Sequence, residues 1–199
     1  MKKQKALKIG GVLVLGLGLG LALNSSQQGT VSGPESVGSL EWQNVTLQDV
    51  DTGENFTVSG LERPVLLETF AVWCTTCSHQ QQEIEKLHEE VNVTSVSLNV
   101  DPNEDAEKIV DHKEENGFHW LYAISPVELT NSLRNRFGNS IANPPSAPVI
   151  LLCEGEAVRL EKEGFGSPVK SADFLEEEII STCGLETGGS SRSGSGAVA

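Results

Sequence analysis

The feature that most constrains this chain is a pair of cysteines with two residues between them, at the point where an apolar segment is followed by a helical one. Residues 65–72 (VLLETFAV) form an almost continuous apolar run, which is typical of a central β-strand covered on both faces. Residues 78–90 have the pattern of an amphipathic helix. The sequence therefore predicts a strand, a short turn and a helix, with Cys74 at or just before the helix N-terminus and Cys77 one turn further in.

This placement predicts different roles for the two sulfur atoms. The unpaired N–H groups and the dipole of a helix N-terminus stabilise a thiolate, which makes Cys74 the attacking sulfur. Cys77 is expected to be more shielded and to resolve a mixed disulfide formed with a substrate. Two cysteines at this spacing can close into a disulfide without moving the backbone apart.

Three other roles are known for such a pair. Haem attachment needs a His directly after the second Cys, where this chain has Ser78. A zinc site needs two further ligands, and His79 lies on the same helical turn as Cys77, where it is expected to face solvent. The third role, a purely structural disulfide at a helix start, stays open.

The rest of the chain alternates strand and helix signals. In chain order, the expected elements are two short strands within 47–58 around Asp51-Thr52-Gly53, the strand at 65–72, the helix at 78–90, a strand at 93–100, a helix from Asp101 to about Glu115, a strand at 118–124, a helix at 127–137, a hairpin of 148–154 and 157–162, and a helix at 171–182. The helix at 78–90 is expected to have Ile84 and Leu87 on its apolar side and Gln80 and Gln81 on its polar side. Asp101-Pro102-Asn103-Glu104 is a typical helix start, and Gly117 is expected to stop that helix. This order predicts an α/β fold with helices on both faces of a central mixed sheet, preceded by an N-terminal β-hairpin extension.

The predicted domain spans residues 39–183, with other kinds of sequence on either side. Residues 1–23 hold four lysines and then a 15-residue apolar run, which is typical of a signal peptide or a short membrane anchor. Either one places the remainder outside the cytoplasmic membrane. Residues 24–38 are expected to be a flexible linker, and the Gly- and Ser-rich residues 184–199 a disordered tail.

Charge and motif spacing exclude two classes of ligand. The formal net charge of -14 disfavours a nucleic-acid surface. Asp101, Asn103 and Asp105 imitate the start of a calcium loop, but its sixth position is Ala106 and its twelfth is His112. We therefore expect no metal site.

Three segments together resemble thioredoxin-fold thiol-disulfide oxidoreductases, and most closely the extracytoplasmic TlpA/ResA type. They are residues 67–77 (LETFAVWCTTC), 100–105 (VDPNED) and 147–150 (APVI), and the resemblance covers about residues 40–183. It implies a thioredoxin-like fold and a redox-active Cys74–Cys77 disulfide, with no cofactor besides that disulfide.

The resemblance also implies roles for residues around the cysteines. Pro148 matches the cis-proline of the family, and Ala147 before it is implied to pair through its backbone with an extended substrate peptide. Trp73 is implied to shape the same groove. Glu68 falls where many relatives keep a buried acid, which has a raised pKa and could take the proton of Cys77. The alternative for Glu68 is a carboxylate turned to solvent.

Cys153 and Cys183 are the two remaining cysteines. They form either a second disulfide that ties the hairpin to the last helix, which suits an oxidising compartment, or two buried free thiols.

The function expected from these features is protein thiol-disulfide exchange outside the membrane, for example in cytochrome c maturation or general disulfide reduction. The expected partners are protein thiols or disulfides, a membrane electron donor or acceptor, and the membrane itself through the N-terminal segment. Thr76 stands where reducing members often have Pro, so the direction of electron flow stays open. A Sco-like copper-delivery protein on the same fold and a DsbA-like oxidant are the alternatives.

Overall fold

The computed structural model describes residues 41–162 and 166–184. The expected leader and linker, and all of the expected tail except Gly184, lie outside the described residues. Within the described ranges, no helix has the length and apolarity needed to cross a bilayer.

Seven strands and four helices build the domain described by these residues. In chain order they are β1 (Leu47–Gln48), β2 (Asn55–Phe56), β3 (Val65–Phe70), α1 (Thr75–Glu90), β4 (Thr94–Asn99), α2 (Ala106–Asn116), β5 (Leu121–Ile124), α3 (Val127–Phe137), β6 (Val149–Cys153), β7 (Glu156–Leu160) and α4 (Ala172–Cys183). The main sheet has the order β5-β4-β3-β6-β7, in which β3, β4 and β5 are parallel and β6 and β7 are antiparallel. Strands β1 and β2 form a separate antiparallel hairpin. The predicted fold class is therefore confirmed.

Strand β3 lies at the centre of the sheet, and all six of its residues are buried. Leu66 and Phe70 pack into a core with apolar residues of α1, α2 and α4, whereas Val65 and Leu67 pack on the other face with α3. Side chains of a strand alternate between faces, so Glu68 lies on the same face as Leu66 and Phe70. That is the face that carries α1.

Two helix starts differ from the sequence prediction. Helix α1 begins at Thr75 rather than Ser78, because the Cys74 side chain caps it. Helix α2 begins at Ala106, because the Asp105 carboxylate accepts a hydrogen bond from the Lys108 N–H at 3.1 Å. Its predicted end is confirmed: Gly117 takes the left-handed backbone with φ of 74° that closes the helix.

Candidate active site

Cys74 and Cys77 form a disulfide where β3 is followed by α1. Their Cα atoms are 5.3 Å apart. Cys74 is the N-cap of α1, and its Sγ accepts a hydrogen bond from the Cys77 N–H at 3.1 Å. The same N–H remains available to a Cys74 thiolate after reduction, which is the stabilisation that the sequence predicts for this position.

The two cysteines are equally buried in this oxidised state. Cys74 is 2% exposed and Cys77 is 1% exposed, so the stronger shielding predicted for Cys77 is not present. A short 3-10 turn, Pro144–Ser146, packs against α1 beside them. The Pro144 carbonyl oxygen lies 3.3 Å from the Sγ of Cys77, where it can accept a hydrogen bond from the thiol of the reduced protein.

Trp73 is the exposed apolar residue next to the disulfide. It is 60% exposed, and its indole Nε1 donates to the Asp101 carboxylate at 2.6 Å. The pKa of Asp101 is lowered, first by the backbone N–H of Asn103 and then by this indole N–H. Both carboxylate oxygens of Glu104 accept from the Val72 N–H, at 2.9 and 3.1 Å. Two acids of the β4–α2 connection therefore hold the backbone and the indole that precede Cys74.

The predicted cis bond before Pro148 is wrong for this structure. Within 41–162 and 166–184, the cis peptide lies between Arg63 and Pro64, and the Ala147–Pro148 bond is trans. The reason is the route of the chain: Ala147 closes the preceding turn by donating to the Pro144 carbonyl at 2.8 Å, and it takes a left-handed backbone with φ of 43°. From there the Pro148 carbonyl reaches the Thr69 N–H of β3 at 3.3 Å.

The backbone groups of Ala147 are already used inside the protein. Its N–H donates to Pro144, and its carbonyl oxygen accepts from the Lys170 ammonium group at 2.6 Å. The Ala147 residue is only 2% exposed. Pairing of Ala147 with a substrate peptide therefore stays a prediction, and it requires a rearrangement of this loop.

Glu68 is a buried acid on the α1 side of the sheet. It is 2% exposed, and its Oε1 accepts hydrogen bonds from Ser97 Oγ at 2.6 Å and from Gln81 Nε2 at 2.7 Å. Burial raises the pKa of Glu68 to about 7, against the opposing effect of these hydrogen bonds and of the Lys170 charge. The alternative of a solvent-facing carboxylate does not hold.

The donors to Glu68 are themselves held by further side chains. Gln81 uses its amide nitrogen for Glu68, so its oxygen accepts from His112 Nε2 at 2.6 Å. Ser97 accepts from the indole Nε1 of Trp120 at 2.8 Å. Burial lowers the pKa of His112, which keeps this imidazole neutral at pH 7.

Sequence reasoning missed this buried network. The sequence pattern predicts Gln80 and Gln81 on the polar side of α1, but both are 0% exposed. The signal was present in their spacing, because Gln80 and Gln81 lie three and four residues after Cys77, on the helix face that also carries Ile84.

Cys153 and Cys183 are also joined by a disulfide, with their Cα atoms 5.1 Å apart. The bond links the last residue of β6 to the last residue of α4. It therefore ties the antiparallel half of the sheet to the closing helix.

The described residues do not group three His, Cys, Asp or Glu side chains as ligands for a metal ion. His112 is engaged by Gln81, and His119 is exposed.

Solved structures with similar backbones were found at low sequence identity. A secreted disulfide oxidoreductase of Mycobacterium tuberculosis, homologous to DsbE of Escherichia coli, has 14% identity and a TM-score of 0.54 over 71% of this chain and 98% of that chain. BsSco, of the Sco family of cytochrome c oxidase assembly proteins, has 18% identity and a TM-score of 0.55 over 71% and 92%. A thioredoxin-related protein of Neisseria meningitidis serogroup B has 11% identity and a TM-score of 0.53 over 70% and 99%.

No family model matches the sequence, and no curated relative is similar enough to count as a match. The structural likeness and the disulfide at the start of α1 agree with each other and with the expected architecture. The chain has a thioredoxin-like fold that carries a CxxC disulfide, and disulfide oxidoreductases are among the proteins whose structures resemble it.

Proposed function

We propose that this protein is an extracytoplasmic thiol-disulfide oxidoreductase that exchanges electrons with cysteines of other proteins through Cys74 and Cys77. The observation that carries the proposal is the disulfide at the N-terminus of α1, in which the Cys77 N–H donates to the Cys74 sulfur. A purely structural disulfide does not need such a donor, whereas an attacking or leaving thiolate is stabilised by it.

In the reducing direction, the exchange has two steps. The Cys74 thiolate attacks one sulfur of a client disulfide, the client S–S bond breaks, and a mixed disulfide and a client thiolate form. The Cys77 thiolate then attacks the Cys74 sulfur, which closes the Cys74–Cys77 bond and releases the second client thiolate. Two electrons pass from the dithiol to the client, and both client thiolates take up protons. The oxidising direction is the same sequence in reverse.

Glu68 has the properties of the base that this sequence needs. Before the second step, the Cys77 thiol must lose its proton, and a carboxylate with a pKa near 7 is half ionised at neutral pH. Both hydrogen bonds to Glu68 go to Oε1, which leaves Oε2 to take the proton.

Around the sulfur atoms, Trp73, Ala147 and Pro148 form the part of the proposed site that contacts the client. The exposed indole of Trp73 supports this role directly. The segment of Ala147 and Pro148 directly follows the Pro144–Ser146 turn, which contacts α1, and we expect this segment to shift when a client binds.

The setting and partners follow from the leader and the cysteines. The lysines and apolar run of residues 1–23 support export or anchoring, and two disulfides suit an oxidising compartment. A membrane donor or acceptor would then reset the dithiol, and no cofactor besides the disulfide is proposed.

The test is to trap the mixed disulfide. The full-length Cys77→Ser variant is mixed with an oxidised client protein and the products are separated without reductant. We expect a covalent adduct through Cys74 that thiol reductant releases. The matched Cys74→Ser variant is expected to give none, because the remaining Cys77 sulfur lacks the N-cap position that stabilises a thiolate, and its thiol is held by the Pro144 carbonyl.

Equal adducts from both variants, or none from either, would refute the proposal. Copper bound in a one-to-one ratio by a wild-type protein that shows no exchange would favour the Sco-like alternative instead. The reduction potential of the Cys74–Cys77 couple then assigns the direction, because a value below about -250 mV supports a reductant and one near -120 mV supports a DsbA-like oxidant.

A further inference from the structure

Lys170 is a buried cation that the exchange steps do not use. It precedes α4 and is 4% exposed, and its Nζ donates to the carbonyl oxygens of Ala147 at 2.6 Å and Pro168 at 3.0 Å. Among the ion pairs of the described residues, none includes Lys170. A buried ammonium group held by neutral carbonyls is costly unless a negative charge lies nearby.

The backbone of Lys170 is fixed to the helix that carries the disulfide. The Gln80 amide donates to the Lys170 carbonyl at 3.0 Å, and the Lys170 N–H donates to the Gln80 oxygen at 2.8 Å. Gln80 is fully buried and lies three residues after Cys77. This reciprocal pair fixes the Lys170 backbone to the helical turn that follows the disulfide.

Glu68 is the buried acid on the same side of the sheet. In the register of β3 and β6, Glu68 lies opposite Val149, two residues after the Ala147 carbonyl that holds the ammonium group. Burial raises the pKa of Glu68 to about 7 and lowers the pKa of Lys170 to about 8, and the attraction between the two charges opposes both changes.

The other groups around Glu68 do not supply a positive charge. Ser97 and Gln81 are neutral donors from β4 and α1. His112 of α2, which reaches Glu68 through Gln81, has a pKa lowered by burial. Tyr122 of β5 also faces Glu68, and burial raises its pKa, so the phenol is neutral.

The other charges near Lys170 do not replace Glu68 as its counter-charge. Arg159 and Lys162 repel it, and Glu161 attracts it more strongly than Glu68 does, but Glu161 is paired with Arg159 at 3.2 Å. The Glu161 side chain is 71% exposed, so water screens its charge. Glu68 is therefore the buried acid among the charges that act on Lys170.

We propose that Lys170 is a positioning residue of the redox site, whose buried ammonium group holds the Ala147 carbonyl directly after the turn that contacts Cys77, and is the counter-charge of the Glu68 carboxylate. The inference rests on the proposed proton transfer from Cys77 to Glu68. Lys170 touches neither sulfur atom in this role; it acts through Glu68 and through the Ala147 backbone.

The test is a titration of Glu68 in the oxidised full-length protein, followed by the side-chain carboxyl signal in NMR with Glu-selective carbon labelling. In Lys170→Met we expect the Glu68 midpoint to move up by about 1 pH unit, because a nearby opposite charge has been removed. The ionised fraction of Glu68 at pH 7 then falls from a half to about a tenth, so release of the client from the mixed disulfide slows about five-fold at pH 7. At pH 9, where Glu68 is ionised in both proteins, the rate is expected to return to that of the wild type.

Matched variants separate the charge from the packing. Lys162→Met removes an exposed positive charge from the same neighbourhood, and the Glu68 midpoint is expected to stay unchanged. Lys170→Arg keeps the charge and is expected to restore the wild-type midpoint. Lys170→Gln removes the charge but keeps a donor, and it must give the same upward shift as Lys170→Met.

An unchanged or lower Glu68 midpoint in Lys170→Gln overturns the inference, even if Lys170→Met does not fold. An upward shift without any change in the pH profile of exchange also overturns it, because Lys170 would then stabilise a carboxylate that the reaction does not use. If the wild-type protein catalyses no exchange, the proposed function fails, while the titration still decides whether Lys170 is the counter-charge.

Discussion

Replacing Glu68 by Gln is predicted to remove a cost to folding that depends on pH. The glutamine side chain has almost the same shape, and its carbonyl oxygen can still accept the hydrogen bonds from Ser97 and Gln81. The variant therefore changes the ionisation of this position while keeping most of its contacts.

The magnitude follows from the pKa of Glu68, which burial raises from 4.5 to about 7. Because the folded pKa is the higher one, the folded state holds a proton that the unfolded chain has already released between these two pH values. Stability is thus unaffected by Glu68 below about pH 4.5, falls as pH rises to about 7, and carries a constant cost above that. The cost corresponds to about 3 kcal/mol, a large part of the 5–15 kcal/mol that is typical of a domain.

The assay is urea unfolding of the oxidised wild-type and Glu68→Gln proteins from pH 4 to pH 9. We expect the free energy of unfolding of the variant, relative to wild type, to rise by about 3 kcal/mol over this range and to level off above about pH 8. His88 and His112, whose pKa values are lowered by burial, destabilise both proteins as pH falls, so their effect cancels in the difference.

The control is Glu114→Gln, which removes a carboxyl group from an exposed position of α2. The free energy of unfolding of this variant should change with pH in parallel with that of the wild type. The NH2 group that Glu68→Gln introduces can change the free energy of unfolding by an amount that is the same at every pH. A difference that is constant across the range would therefore refute the argument that Glu68 is ionised at a cost in the folded state.

Two further predictions concern stability. Replacing both Cys153 and Cys183 by Ala opens a cross-link between residues 30 apart and should lower the free energy of unfolding by about 3–4 kcal/mol from the chain entropy of that loop, as measured by urea unfolding; a loss below 1 kcal/mol would contradict it. Asp105→Ala removes the N-cap of α2 and should cost about 1 kcal/mol by the same measurement, whereas Asp111→Ala on an exposed part of α2 should cost less than half as much; equal losses would show that the cap at Asp105 does not stabilise the helix start.

Most of the fold could be predicted from the sequence because its signals are local. The six buried residues of β3 form one apolar run, and helix α3 begins and ends at the predicted residues. Ser171 caps α4 by accepting from the Phe174 N–H, which places the helix within one residue of its predicted start. Each of these signals lies within a few residues of the structure that it specifies.

Helix α2 shows how local signals fail when they compete. Asp101, Pro102 and Glu104 imitate a helix start, but the carboxylates of Asp101 and Glu104 are used by Trp73 and Val72. The next acid, Asp105, then caps the helix. Sequence alone does not reveal this competition, because Trp73 and Val72 come close to these acids only in the folded sheet.

The hydrophobicity pattern alone does not predict the polar core, for a related reason. Gln81 and its partner Glu68 are 13 residues apart, and Gln80 and its partner Lys170 are 90 residues apart. A hydrophobicity pattern places a polar residue at the surface unless its buried partner is known. Such partners come together through the pairing of strands and the packing of helices, which the hydrophobicity pattern of a single segment does not show.

The position of Glu68 in the sequence nevertheless indicates which polar residues are buried. An acid in a fully buried strand must be given donors, and these can come only from the helix above it and from the neighbouring strand. In this fold the helix is α1, whose buried face includes Gln81, and the strand is β4, whose buried polar face includes Ser97. Once the CxxC fixes the position of α1 over β3, a single carboxylate in an apolar run is enough to predict which polar residues of α1 and β4 turn inward.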